Sequence, residues 1–347
     1  AGFSAGGDCR PPSCDALALD PLPLRSRAWH LHVSAWERRQ AWEDAWARAI
    51  CADGPDFDVR VFVLVLDDRS EDRAPFLTWS RRINEHYCHE HGIDLHFLVG
   101  ADAEKLPELS SMPPHWARIA HLENLASDGP QGSGCFAVLL DSDAAFVNEE
   151  FPLRRFLSGL PLQKSVFVAK DPAMYPPPAG HGEKGVFCSG FLCVRLDQEG
   201  LRFLKTWRDA FDPLPWSRCP DTGEWKCSGA WAGTAYEQGQ LNRLITGDFC
   251  AALHELPQAL FNSAFPRELG WPQPAVLHLM RRPGEPGGVE KEQRVEATFR
   301  TLWEMSLNSK PAQSADTGAV ERYLHAGLPL TGEELAAWEE VEDSYGP

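Results

Sequence analysis

The sequence predicts an α/β fold, with a mostly parallel central sheet flanked by helices, an irregular N-terminal extension and an acidic, helical C-terminal one. Three observations carry this. Short runs of consecutive β-branched and aliphatic residues recur, as in strands buried on both faces. Amphipathic stretches of helical period lie between them. Between residues 59 and 140 the two alternate as strand, helix, strand, helix, strand.

The elements follow in order. Residues 1–27, rich in Gly, Pro and Cys, read as an irregular lead-in. Residues 34–51 follow a helical pattern with Trp36, Trp42 and Trp46 among charges, and Ser34 with Glu37 forms a capping box. That Trp stripe reads as core packing rather than as a binding surface. Residues 59–66 form the first buried strand, ended by Asp67-Asp68. Residues 76–91 are helical and stop at Gly92, a C-cap residue. Residues 93–99 are a second strand, 114–127 a second helix, and 136–140 a third strand that stops at Asp141. Further on, 166–169 and 190–194 read as strands and 198–211 and 236–245 as helices. Residues 212–233 read as a loop rich in Trp, Cys and Gly, and 276–279 as a late strand. Residues 309–319 form a break before an acidic, helix-prone tail at 320–347.

Composition narrows the function. The net charge of −17 excludes a non-specific nucleic-acid partner, which needs a basic surface. No run approaches the roughly 18 apolar residues of a membrane span. Residues 1–27 lack the order of a signal peptide, and the chain opens on Ala1, so a processed protein with a membrane anchor outside this chain is expected. The ten cysteines suit an oxidising compartment, the secretory-pathway lumen (Golgi or ER). Disulfides are expected first at Cys9/Cys14 and Cys219/Cys227, with several of the others left as buried thiols. The phosphate-binding glycine fingerprint of dinucleotide folds is missing after the first strand, where Asp67-Asp68-Arg69-Ser70 stands. That disfavours nicotinamide and flavin chemistry.

In open α/β sheets ligands bind at the carboxyl ends of the strands. Asp141-Ser142-Asp143 stands at such an end. Two carboxylates two residues apart can reach one hard cation, Mn²⁺ or Mg²⁺, which then stabilises a diphosphate leaving group. A second Asp-x-Asp, Asp56 with Asp58, reads as a solvated turn. His278, in an apolar strand, is either a third ligand or a satisfied core histidine. Arg281 and Arg282 suit phosphate charge, or are a solvated basic pair.

Residues 136–148 (FAVLLDSDAAFVN) resemble the Asp-x-Asp strand of GT-A-fold (Rossmann-like) glycosyltransferases. The nearest resemblance is to the galactosyl/xylosyltransferase group, typified by fungal α-mannan galactosyltransferases and plant xyloglucan xylosyltransferases. Trp116-Ala117-Arg118-Ile119 resembles the helix before that strand, with Arg118 where the family usually has Lys. Residues 188–195 are similar to its Asn-Ser-Gly segment, with Cys188 in place of Asn before Ser189 and Gly190. Glu237-Gln238 resembles the acidic-Gln opening of a helix, and residues 276–278 the strand bearing the metal-ligand histidine. The resemblance spans about residues 59–282, in order.

It implies a GT-A-like catalytic domain at 51–290 between extensions at 1–50 and 291–347. It implies retention of configuration, a nucleotide over Val65, Leu66 and Asp67, and Glu237 or Gln238 facing the donor sugar. On spacing alone, those two are equally a polar first helical turn. The expected ligands are Asp143 and His278, with Asp141 shared between cation and donor. Ser142, Arg118, Ser189, Gly190 and Arg281 complete the donor site, and a glycan or glycoprotein supplies the acceptor hydroxyl. Two further readings stay open. One is a carbohydrate-binding protein without catalysis, using Trp216, Trp225 and Trp231, which could equally form the acceptor cleft of a transferase; the other is a nucleotidyltransferase or phosphohydrolase on the same carboxylates.

Overall fold

The computed structural model describes residues 59–170, 187–221, 223–263, 274–280 and 288–308. The expected helix at 34–51, the tail at 320–347, Cys9/Cys14 and Arg281/Arg282 lie outside them. The first half runs β1 (Arg60–Asp67), α1 (Phe76–Glu90), β2 (Asp94–Val99), α2 (Ala101–Glu104), α3 (Pro107–Ser111), α4 (Pro114–Asp128) and β3 (Cys135–Leu140). Next come β4 (Ala144–Phe146), α5 (Leu153–Ser158), β5 (Val166–Lys170), β6 (Phe187–Arg195) and α6 (Gln198–Asp209). The chain continues through β7 (Trp216–Arg218), β8 (Trp225–Cys227), α7 (Glu237–Thr246) and β9 (Leu253–Glu255). It closes with α8 (Gln258–Phe261), β10 (Val276–His278) and α9 (Gly288–Asn308). No described helix is long and apolar enough to cross a membrane.

Six strands form one sheet in the order β2-β1-β3-β6-β5-β9. β6 alone runs antiparallel to its neighbours, so the sheet is mostly parallel. The continuous apolar runs are explained by two cores. Along β1, Val61, Val63 and Val65 pack with α1, α5 and α9, whereas Phe62, Leu64 and Leu66 pack with α4, α6 and α7. Burial on both faces removes the polar alternation that a half-exposed strand shows.

Two features position the site. Strand order reverses between β1 and β3, which opens a crevice at their carboxyl ends. A ribbon of β4 against β10 then crosses that end, pairing Ala144 with His278. Asn84 of α1, fully buried, clasps β4: its amide donates to the Ala144 carbonyl (3.2 Å) and accepts from the Phe146 N–H (3.0 Å). Gly92 adopts φ +60°, which suits its helix-ending role.

Residues 212–233 contain the hairpin β7–β8 and are not a bare loop. The Cys219–Cys227 bridge is not formed, and Cys227 carries a free thiol. Register explains it: Cys227 sits opposite Trp216, three residues from Cys219. Along a strand that separation is roughly 10 Å, beyond the ~7 Å that a disulfide spans between Cα atoms. α9 crosses residue 290 and packs against α1, burying Val295 and Phe299 one helical turn apart.

Candidate active site

The crevice at the ends of β1 and β3 is a cavity of about 720 Å³. Leu66, Phe76, Met280 and Val295 are among its apolar lining residues, and His115 and Trp231 also line it. Asp141, Asp143 and His278 each offer a ligand atom within 4.8 Å of the others. His278 Nε2 stands 3.4 Å from Asp141 Oδ2 and 3.4 Å from Asp143 Oδ1. Neighbouring ligands around an octahedral Mg²⁺-sized ion lie about 3 Å apart, so the set fits a hard divalent cation.

The imidazole is aimed by its surroundings. Asn262 Nδ2 donates to the Lys170 carbonyl (2.9 Å), which turns Asn262 Oδ1 toward His278 Nδ1 at 2.8 Å. Nδ1 therefore carries a proton and donates it, and Nε2 is the nitrogen presented to the carboxylates. Gly190 makes the approach sterically possible. A Cβ there would lie 2.1 Å from His278 Cε1 and 2.3 Å from Nδ1.

Arg118 of α4 joins the cluster to a second carboxylate. Its guanidinium pairs with Asp141 and donates to Glu237 Oε1 (2.6 Å) and Ser189 Oγ (3.1 Å). Glu237 Oε2 is buried with no hydrogen-bond partner among the described residues, and His115 Nδ1 is 4.0 Å away. Such an orphan costs roughly 1–3 kcal/mol unless something satisfies it. Here it lies in a residue that borders the cavity. Gln238, beside it, accepts from Ser189 Oγ at 3.3 Å.

The charges balance locally. Burial works against ionisation of Asp141, but Arg118 and His278 hold its pKa down at about 2. Burial likewise opposes charge on Asp143, and Lys291 and His278 outweigh it, keeping that carboxyl below the usual range. Burial opposes an imidazolium at His278, yet the Asp143 charge, then Cys188 and the bonds to both aspartates, raise it well above its ordinary value. Three carboxylates thus face Arg118, Lys291 and a protonated His278.

Of the residues expected from sequence, Leu66, Asp67, Arg118, Asp141, Ser142, Asp143, Ser189, Glu237, Gln238 and His278 line this one cavity. Val65 does not: strand alternation turns it into the core beside α1, fully buried. Gly190 is covered by the imidazole, so its place in the site is to admit His278. Asp67 is held by Arg69 through two bonds of 2.9 and 2.7 Å and by Ser142 Oγ at 2.7 Å. Arg281 lies outside the described residues.

Sequence reasoning missed Lys291, whose Nζ lies 2.6 Å from Asp143 Oδ2, and Asn262 behind His278. It also missed Arg69, which ties β1 to Glu292 of α9 at 2.6 Å, and His115 beside Glu237. Of these, Arg69 and His115 stood beside quoted segments, Asp67-Asp68 and Trp116-Ala117-Arg118-Ile119, that could have flagged them.

Two solved structures resemble this fold. One is described as a glycosyltransferase involved in the glycosylation of the major capsid of PBCV-1: 16% identity, TM-score 0.47, covering 68% of this chain and 99% of that one. The other is mouse xyloside xylosyltransferase 1 in its apo form: 11% identity, TM-score 0.38, covering 64% and 97%. No protein-family model and no curated protein matches the chain. At these values neither likeness bears on function, which rests on the site.

Proposed function

We propose that this chain is a metal-dependent glycosyltransferase. It moves a sugar from a UDP-sugar to a hydroxyl of a glycan or glycoprotein acceptor, with retention of configuration. The observation that carries the reading is the Asp141–Asp143–His278 set at the sheet's switch point, with the orphaned Glu237 oxygen in the same cavity.

A bound Mn²⁺ or Mg²⁺ would neutralise the charge that grows on the departing diphosphate. The chain's own groups do the rest. Asp141, Asp143 and His278 Nε2 would hold the cation, and Asn262, by accepting from Nδ1, keeps Nε2 pointed inward. Lys291, released from Asp143, is placed to meet phosphate charge. The C1–phosphate bond breaks, the acceptor oxygen bonds to C1, and the acceptor's proton passes to the departing phosphate. Glu237 Oε2 supplies negative charge near the electron-poor carbon.

Calorimetric titration of UDP with and without Mn²⁺, repeated on Asp143→Ala, tests this. Binding that requires Mn²⁺ and disappears in the variant is expected. Equal binding without metal, or none at all, overturns the reading. A donor-hydrolysis screen over UDP-galactose, UDP-xylose, UDP-glucose and UDP-arabinose then identifies the sugar.

A further inference from the structure

The exposed indole of Trp231 is a feature that the metal and diphosphate chemistry leaves unused. It borders the same cavity yet is 67% exposed, among the largest apolar exposures of the described residues. His115 and Tyr236 contact it at 5.5 and 4.9 Å with interplanar angles of 74° and 61°, so neither stacks upon it.

The segment presenting it is rigidly held. Ala232, next in the chain and buried, has φ +53°, a left-handed conformation that a residue with a Cβ adopts only when its surroundings impose it. Those surroundings are specific. The Ala235 carbonyl accepts from two indoles, Trp116 Nε1 at 2.9 Å and Trp216 Nε1 at 3.1 Å. Gln240 Nε2 donates to the Thr234 carbonyl at 2.7 Å. Gly239 of α7 lets the turn press onto the helix, since a Cβ there would lie 2.0 Å from the Gly233 oxygen. A strained, clamped turn led by an aromatic ring left two-thirds exposed is an arrangement built for a ligand.

We propose that Trp231 forms the floor of an acceptor subsite that takes a pyranose ring; this rests on the transferase reading above. A pyranose has an apolar C–H face and a rim of hydroxyls. An aromatic ring matches the face, and groups such as Asp68, His115 and Gln238, which line the same cavity, match the rim. His115 joins the two regions: it contacts Trp231 on one side and stands 4.0 Å from the orphaned Glu237 oxygen on the other. A ring on the indole therefore lies beside the reaction centre. A single indole among polar groups offers too little contiguous apolar surface for a protein partner.

The test compares the full chain with Trp231→Ala and Trp231→Phe. Saturation-transfer NMR titrates methyl pyranosides of glucose, galactose, xylose and mannose and short cello- and xylo-oligosaccharides; calorimetry follows UDP with Mn²⁺ in parallel. The expected result is that at least one glycoside binds the wild type, binds Trp231→Ala at least tenfold more weakly and is largely restored by Trp231→Phe, while UDP affinity stays within twofold. No glycoside binding by the wild type, or equal binding by Trp231→Ala, overturns the subsite. If UDP fails to bind the wild type, the transferase reading falls and the acceptor role falls with it, whatever the glycosides do.

Discussion

His278 depends on a neighbour that has no reactive chemistry. Asn262 is fully buried and its amide is oriented by the Lys170 carbonyl, so only its oxygen faces the imidazole. Asn262→Ala is expected to weaken Mn²⁺ binding by about 10–100-fold, the usual scale for losing a ligand's orienting partner. Calorimetry of Mn²⁺ alone measures it, and an unchanged far-UV circular dichroism spectrum separates it from unfolding. pH gives a second check. Asp143 and its neighbours raise the pKa of His278 above the ordinary imidazole value, so at neutral pH a proton sits where the cation must bind. Cation binding expels that proton, and apparent Mn²⁺ affinity should therefore rise with pH, by up to about tenfold per unit. Affinity that is flat between pH 6 and 8 would contradict this. Asp141, Asp143 and His278 were legible in the sequence because each interrupts or ends an apolar run. Asn262 was not, because its significance arises only where α8 meets β10.

At the scale of elements, α9 closes the site. Val295 and Phe299 anchor it beside α1, and Lys291 and Glu292, one turn earlier, reach Asp143 and Arg69. Lys291→Gln should have opposite effects on two ligands. Mn²⁺ alone binds more tightly, since no ammonium competes for Asp143, and UDP in saturating Mn²⁺ binds about tenfold less well for want of a phosphate partner. Titrating each ligand separately distinguishes this from a general loss of structure. The strands of the large sheet could be read because burial on both faces leaves unbroken aliphatic runs. β7 and β8 could not, since Trp216–Arg218 and Trp225–Cys227 are three-residue strands with no aliphatic run, unlike the equally short β10. The closure by α9 was equally hidden, because an ion pair between a helix and a distant loop leaves no local pattern.

For the whole molecule, net charge is a poor guide to the site. The chain carries −17, yet around the cation position Asp141 and Glu237 pair with Arg118, and Asp143 with Lys291. Long-range repulsion of an anionic donor is screened beyond roughly 8–10 Å at physiological salt, so the local balance governs binding. In saturating Mn²⁺, UDP at about 100 times its dissociation constant should stabilise the Mn²⁺-loaded fold further, by about 2.7 kcal/mol. For a domain of this size that raises Tm by roughly 5–10 °C, with no such rise in Asp143→Ala; differential scanning fluorimetry reads it directly.

The ammonium of Lys291 against Asp143, with Arg118 against Asp141, gives the protein an internal counterion for use when a cation is withdrawn. Proteins that fold around a structural metal unfold when it is chelated, because the metal's binding free energy is what holds them folded. This chain carries its substitute covalently attached, on a helix that is anchored independently of the site. Treatment with EDTA should leave a folded, storable protein that regains nucleotide binding as soon as Mn²⁺ returns.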